Sequence, residues 1–254
     1  IVFENLKDNK DFSYAAGLDF FKENKEMEFK PGLNIIFAPN GTGKSTILSM
    51  LALSTASKQG GYSVVTHSWT GSSMGGGESL KGFNVFHDGQ GSIYCNPRNA
   101  VGLYGGMAAF DDDFMSQGIR DIQLNESTGK TTLSRMTEAL TVLLGKAPPK
   151  TEIEYRIPQD KLSAEKKEIL GAKIEKGQFS ILLDEPESGL AVHVQANIFN
   201  IMDKAAKELN MQVIVATHSL FALSCVDANF IELQPDYLKT ARHQLDMLFL
   251  KANR

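Results

Sequence analysis

Nine consecutive residues, Ala38-Pro39-Asn40-Gly41-Thr42-Gly43-Lys44-Ser45-Thr46, have the composition of a loop that holds a phosphate chain. The pattern G-x-x-x-x-G-K-[ST] uses backbone amides to wrap phosphate, a lysine as a point charge for the β- and γ-phosphates, and a hydroxyl as a Mg2+ ligand. Ala38 stands where the first glycine is usual, and every later position fits. Asn40, Gly41, Thr42, Gly43, Lys44, Ser45 and Thr46 are therefore the candidate nucleotide-binding set. Farther along, the apolar run Ile181-Leu182-Leu183 ends in Asp184 and Glu185. Side chains alternate along a strand, so two adjacent carboxylates at its end can take different tasks. Asp184 would hold Mg2+, largely through water, and Glu185 would polarise the attacking water as a general base. A second apolar run, Met211–Ala216, leads into Thr217-His218-Ser219 and places His218 to reach a γ-phosphate. Phosphoryl transfer asks mostly for positioning and charge stabilisation, so a small set can suffice. Lys44, Glu185 and His218 are the candidate catalytic residues. The plainer alternatives are a Gly-rich turn with a surface lysine, an acidic strand-end turn and a structural histidine; the shared strand-end context favours the chemical reading.

These segments need elements to hold them. Pro31-Gly32 turns the chain into Leu33–Phe37, an apolar run that reads as a buried strand, and Ser45–Thr55 follows as a helix, giving strand, loop, helix. Short β-like stretches precede it, over Ile1–Leu6 and around Phe12–Tyr14. Residues 56–130 are rich in Gly and Ser, with apolar clusters at Phe83–Phe86 and Ile93–Tyr94, and read as short strands and loops. Asp111-Asp112-Asp113 could hold a metal, but the favoured reading is a solvated loop. Helical spacing over Thr131–Leu144 ends at Pro148-Pro149, and a charged helix is expected over Leu162–Lys176. Then come a strand Phe179–Leu183, a helix Val192–Leu209, a strand Met211–Ala216, a helix Ser219–Val226, a strand Phe230–Leu233 and an amphipathic helix Tyr237–Asn253. This alternation implies an α/β fold with a largely parallel sheet flanked by helices.

The chain has 254 residues, 42% hydrophobic and 22% charged, which suits one globular domain. It divides into a β-rich part with the phosphate loop (1–110), a helical or inserted part (111–178), and a part with the acidic strand, the histidine and the last helix (179–254). A formal net charge of −4 gives no basic excess, so DNA binding is not indicated and would have to be local. Two scattered cysteines, Cys95 and Cys225, suggest reduced thiols and a cytoplasmic setting, and they lack metal-ligand spacing. No apolar run is long enough to span a membrane. Ile1-Val2-Phe3 does not read as a signal peptide, and the missing Met is consistent with a trimmed chain.

The order of phosphate loop, apolar strand with Asp184-Glu185-Pro186, then strand with Thr217-His218-Ser219 resembles the ABC ATPase superfamily. The likeness covers the start and the last third of the chain. It implies an ATPase of P-loop type using ATP and Mg2+, with an N-terminal antiparallel β subdomain and a helical signature-loop region. By match, Glu185 is the catalytic carboxylate and His218 the γ-phosphate switch. Asp184-Glu185-Pro186-Glu187-Ser188-Gly189-Leu190 looks less like transporter subunits and more like the soluble branch: SMC-like, OLD-like, and the AAA-15 and AAA-21 groups. No long heptad run is present, so the chain is not a full SMC protein.

The same resemblance implies two subunits sandwiching two nucleotides head-to-tail, so a homodimer on ATP binding. Ser188-Gly189-Leu190 would be the segment that communicates across it. The partner subunit would donate a signature loop. Ser127 and Gly129, ahead of a helix, are the preferred residues for it; Ser163 and the Ser73–Glu78 stretch are rivals. A glutamine that binds Mg2+ is expected after the first sheet, at Gln90 or at Gln117. Tyr14 is a candidate for stacking on adenine, whereas Phe20 and Phe21 are expected in the core. The soluble branch further implies an effector or nuclease partner and a role in DNA maintenance or anti-phage defence. An ATP-occupancy switch with little turnover and a transporter's nucleotide-binding subunit are the alternatives.

Overall fold

A parallel strand covered on both faces has no solvent side, so its sequence reads as an unbroken apolar run. Leu33–Phe37 comes close to this, with all five residues buried and Asn34 alone polar. The computed structural model describes residues 1–59, 62–63, 80–89, 91–96, 132–133, 136–146 and 176–252. In chain order these form β1 (Val2–Phe3), α1 (Asp19–Glu23), β2 (Leu33–Phe37), α2 (Lys44–Ser54), β3 (Lys58–Gln59), β4 (Tyr62–Ser63), β5 (Phe83–Asn84) and β6 (Gly91–Cys95). They continue with α3 (Thr137–Leu143), β7 (Phe179–Asp184), α4 (Val192–Glu208), β8 (Gln212–Thr217), β9 (Asn229–Glu232) and α5 (Tyr237–Ala252).

The main sheet runs β4-β3-β6-β7-β8-β2-β9. Its five strands β6, β7, β8, β2 and β9 are mutually parallel over four or five paired residues at each junction, and the short β3–β4 pair extends one edge. A small antiparallel pair, β1 with β5, lies apart. This is the expected α/β sheet flanked by helices with a small antiparallel element. Strand β2 lies between β8 and β9, so chain segments leave the sheet at a point where the strand order reverses, and ligands of open α/β sheets gather there at the carboxyl ends.

The two faces of the sheet are packed differently. On one, α2 is buried along almost its whole length, because the N-terminal segment closes over it; Phe3, Phe20 and Phe21 meet edge-on there at 4.9–6.2 Å between ring centres. Phe20 and Phe21 thus lie in the core, as expected. On the other face α3 and α4 cover the sheet, and α4 buries one side only, through Ile198, Phe199, Met202, Ala205 and Ala206. Asn34 is the polar exception inside β2. It bonds Lys30 and Gly32 of the entering turn and accepts from Asn229, which fixes where β9 starts.

Some local expectations differ from the structure. The stretch around Phe12–Tyr14 is no strand but runs into a 3-10 turn over Ser13–Gly17. The buried Asn9 explains it: its side-chain oxygen accepts from Asp11 N and Phe12 N at 2.8 Å each, so those amides are taken before a ladder can form. Likewise only Val2–Phe3 is extended within Ile1–Leu6. The helix expected over Ser219–Val226 is a 3-10 turn, Leu220–Ser224, capped by the Ser219 hydroxyl. Ile93–Tyr94 belongs to a strand inside the main parallel sheet, where it pairs with β7. Asp111–Asp113, the Ser73–Glu78 stretch, Gln90, Gln117, Ser127, Gly129, Ser163 and all but the last residue of the helix expected over Leu162–Lys176 lie outside the described residues. Among the described residues, no helix is long and apolar enough to cross a membrane.

Candidate nucleotide site

The loop after β2 is shaped by two glycines in the left-handed region, Gly41 at φ +80° and Gly43 at φ +102°. At Gly41 a side chain would meet open space, so the requirement is conformational alone. At Gly43 a Cβ would also come within 2.7 Å of the Phe21 ring and 3.1 Å of Leu18. Ala38 is buried and lies outside the left-handed region, so its backbone makes no demand for a glycine. Gly43 caps α2, so the amides of the first helical turn point out of the loop, the arrangement that binds phosphate at a helix start.

Lys44 is buried and folds back over the loop, with Nζ donating to the carbonyls of Ala38 and Pro39 at 2.9 Å each. The same Nζ lies 3.9 Å from Glu185 Oε1. Thr42 closes the turn by donating its hydroxyl to Pro39 O. Thr46 shares a hydrogen bond with the Tyr14 hydroxyl at 2.8 Å, and Tyr14, beside the first turn of α2, is 60% exposed as a residue. A cleft of about 540 Å³ borders the loop at Gly41 and Thr42, with Asp19 and Glu232 also lining it.

Asp184 ends β7 opposite Ala216 of β8, and Glu185 follows immediately, its amide donating to Ala216 O at 2.8 Å. Glu185 itself sits at φ +47°, a conformation that costs a non-glycine residue energy and recurs where a side chain must be aimed. Its Oε1 is 3.2 Å from His218 Nδ1, and the His218 side chain is 41% exposed. Ser45 Oγ donates to Asp184 Oδ1 at 3.0 Å. The sequence-derived residues Lys44, Ser45, Asp184, Glu185 and His218 therefore converge at the carboxyl ends of β2, β7 and β8.

Residues that the sequence did not single out complete the cluster. Asn96, directly after β6, donates its side-chain amide to Asp184 Oδ2 at 2.9 Å and lies 3.4 Å from the Tyr94 hydroxyl. Burial, then the charge of Asp184, pushes the Tyr94 hydroxyl far above the ordinary tyrosine range, so it stays neutral beside the carboxylate. Asn96 follows an apolar strand, as Asp184 does, and that position was the available signal. Gly- and Ser-rich surroundings mark Ile93–Tyr94 only as part of a region of short strands and loops, and nothing local shows that its strand lies beside β7. Thr217 and Glu187 form a further buried pair, the Thr217 hydroxyl donating to Glu187 Oε1. Burial is the main cause that raises the Glu187 carboxyl above the usual glutamate range.

Mg2+ prefers hard oxygen ligands and is usually held by one or two protein groups plus phosphates and water. Ser45 Oγ and Asp184 Oδ1, in mutual contact next to the phosphate loop, fit that requirement. Comparison with known families agrees with the geometry. A family model described as "AAA domain" (AAA_23) matches residues 16–212, most of the 254-residue chain. No curated protein matches it. The matched span takes in the phosphate loop, the acidic strand and the beginning of β8, and it stops short of His218. The chain belongs to this AAA-domain family of P-loop ATPases, of the ABC-like, SMC-like kind that its strand-end carboxylates resemble.

Proposed function

We propose that the protein binds Mg-ATP on the loop 38–46 and hydrolyses it, with Glu185 as general base and His218 as the group facing the γ-phosphate. The observation that carries this reading is the contact of Glu185 Oε1 with both His218 Nδ1 (3.2 Å) and Lys44 Nζ (3.9 Å). One carboxylate oxygen thus lies near both the residue for the phosphate charge and the residue that faces the γ-phosphate. In the step itself Glu185 accepts a proton from water. The water oxygen bonds to the γ-phosphorus, and the bond from that phosphorus to the β-phosphate oxygen breaks. Lys44 exchanges its loop carbonyls for β- and γ-phosphate oxygens, and the helix start at Gly43 offers backbone amides to the rest. Mg2+, when bound by Ser45 and Asp184, neutralises charge on the phosphates. Asn96 holds Asp184 from behind and so fixes the direction of the metal-side oxygen. Tyr14, exposed beside α2, is the residue we assign to the adenine.

The proposal extends to an ATP-dependent, head-to-tail homodimer whose opening and closing drives an effector such as a nuclease, in DNA maintenance or anti-phage defence. Its support is the resemblance of 184–190 to the soluble branch. Val192 and His193 just beyond it are exposed, as residues that meet a second copy would be. The test is Glu185→Gln, followed by light scattering with and without Mg-ATP beside steady-state turnover of the parent. The mutant should keep ATP, lose about a thousandfold in kcat, and dimerise only when Mg-ATP is present. A mutant that binds ATP and stays monomeric would remove the self-sandwich. Turnover unchanged from the parent would remove Glu185 as the base.

A further inference from the structure

Glu187 is a buried titratable group in this region that the hydrolytic scheme leaves without a task. It is 6% exposed, two residues beyond Glu185 and in the same tight turn, where Ser188 N donates to Glu185 O at 3.0 Å and Leu190 N to Glu187 O at 3.1 Å. Its Oε1 accepts the Thr217 hydroxyl, while Oε2 is buried with no hydrogen-bond partner among the described residues. A buried carboxyl held by one side-chain hydroxyl and its own backbone amide is a poor way to gain stability, since a well-packed apolar side chain would avoid the desolvation cost.

The partner explains the placement. Thr217 is fully buried and is the last residue of β8, in register with Phe37 of β2, so its backbone is fixed by the sheet. Its hydroxyl oxygen also accepts from Ser219 N at 2.9 Å. A chain of two hydrogen bonds therefore runs from Glu187 through Thr217 to Ser219, and His218 is the residue it brackets. Among the described residues the His218 side chain has no such anchoring: it is 41% exposed and reaches Glu185 Oε1 at 3.2 Å.

We infer that Glu187 is a positioning residue for hydrolysis, pinning Thr217 and Ser219 so that the His218 ring stays in register with Glu185. The inference rests on the reading of Glu185 and His218 as the hydrolytic pair. One turn then carries both the base and the strut that aims its neighbour, and a shift at either end moves the other.

The experiment uses the full chain in five forms: parent, Glu187→Gln, Glu187→Ala, His218→Ala, and the double variant Glu187→Ala/His218→Ala. Each is assayed for steady-state ATP turnover, and its histidines are observed by nitrogen NMR, with the His218 signal identified by its loss in His218→Ala. Glu187→Ala should lower kcat about tenfold while KM for ATP stays within about twofold, the mark of misplacement at the reacting centre. It should also move the His218 signal. Glu187→Gln keeps an oxygen for the Thr217 hydroxyl and should restore both. The double variant should be no slower than His218→Ala alone, because the two residues act as one unit. An equal fold-loss from Glu187→Ala with and without His218 overturns the inference, as does an unmoved His218 signal in a folded Glu187→Ala. If Glu187→Ala does not fold, Thr217→Val breaks the same contact from the other side and is held to the same outcomes. A parent that binds ATP without turning it over defeats the hydrolytic reading instead, and the His218 signal then decides the positioning role by itself.

Discussion

The phosphate loop and the acidic strand end face each other across the same site, yet they are assembled in opposite ways. The loop is closed by near neighbours: Lys44 bonds residues five and six positions back, and Thr42 bonds one three positions back. The acidic end depends on distant segments. Asp184 meets Ser45 across 139 positions and Asn96 across 88, Glu185 meets His218 across 33, and Glu187 meets Thr217 across 30. A site half built from local geometry and half from sheet register can lose its halves separately. Damage to the loop should act on nucleotide binding, and damage to the acidic end should act on metal use and turnover.

The strongest attack on that contrast is Lys44→Ala. It removes the point charge on the local side and should lower kcat/KM for ATP about a thousandfold, with weakened binding seen by calorimetry. Intact binding with lost turnover would place Lys44 with the distant half and break the division. Next is Gly43→Ala, expected to destabilise the fold by about 2–3 kcal/mol, because positive φ and the contact with Phe21 act together. Gly41→Ala lacks the clash and should cost about 1 kcal/mol. Urea denaturation of both checks the pair, and equal losses would show that Phe21 gives way. On the distant side, Asn96→Ala should raise the Mg2+ concentration for half-maximal turnover about tenfold and leave metal-free ATP binding unchanged. An unaltered Mg2+ titration would detach Asn96 from the metal side.

The smallest effect is a pH dependence. Burial raises the Glu187 carboxyl, so the stability tied to its protonated form is complete below the ordinary glutamate range and is lost as pH rises. Glu187→Gln carries no such loss. It should therefore be more stable than the parent at pH 8, with the gap narrowing toward pH 5 in thermal melts. A gap that is constant across that range would mean the carboxyl does not titrate differently on folding.

The same contrast explains what could be read from the sequence. Leu33–Phe37, Ile181–Leu183 and Met211–Ala216 are legible as strands because parallel burial writes mostly apolar runs, broken only at Asn34 and Gln212, and the residues at their ends then declare themselves. The loop is legible because its geometry needs particular residues a few positions apart. Asn96 was not, because nothing near it in the chain announces Asp184; only the pairing of β6 with β7 does. The 3-10 turn at Ser13–Gly17 is the opposite case: its sign is local, Asn9 taking the amides two and three positions on, but the aromatic residues Phe12 and Tyr14 read as strand formers and mask it. Side chains that act through register leave no local pattern, whereas side chains that act through turns do.

Helix α2, closed in by the sheet below and the N-terminal segment above, has a further consequence. From Thr46 to Leu53 every position is buried, so each is constrained by its neighbours' volumes whether or not it ever approaches a nucleotide. In a saturation mutagenesis library these positions would be depleted about as sharply as Lys44. Intolerance to substitution along this helix would therefore measure crowding and chemistry together, and only a readout that separates abundance from turnover would tell the two apart.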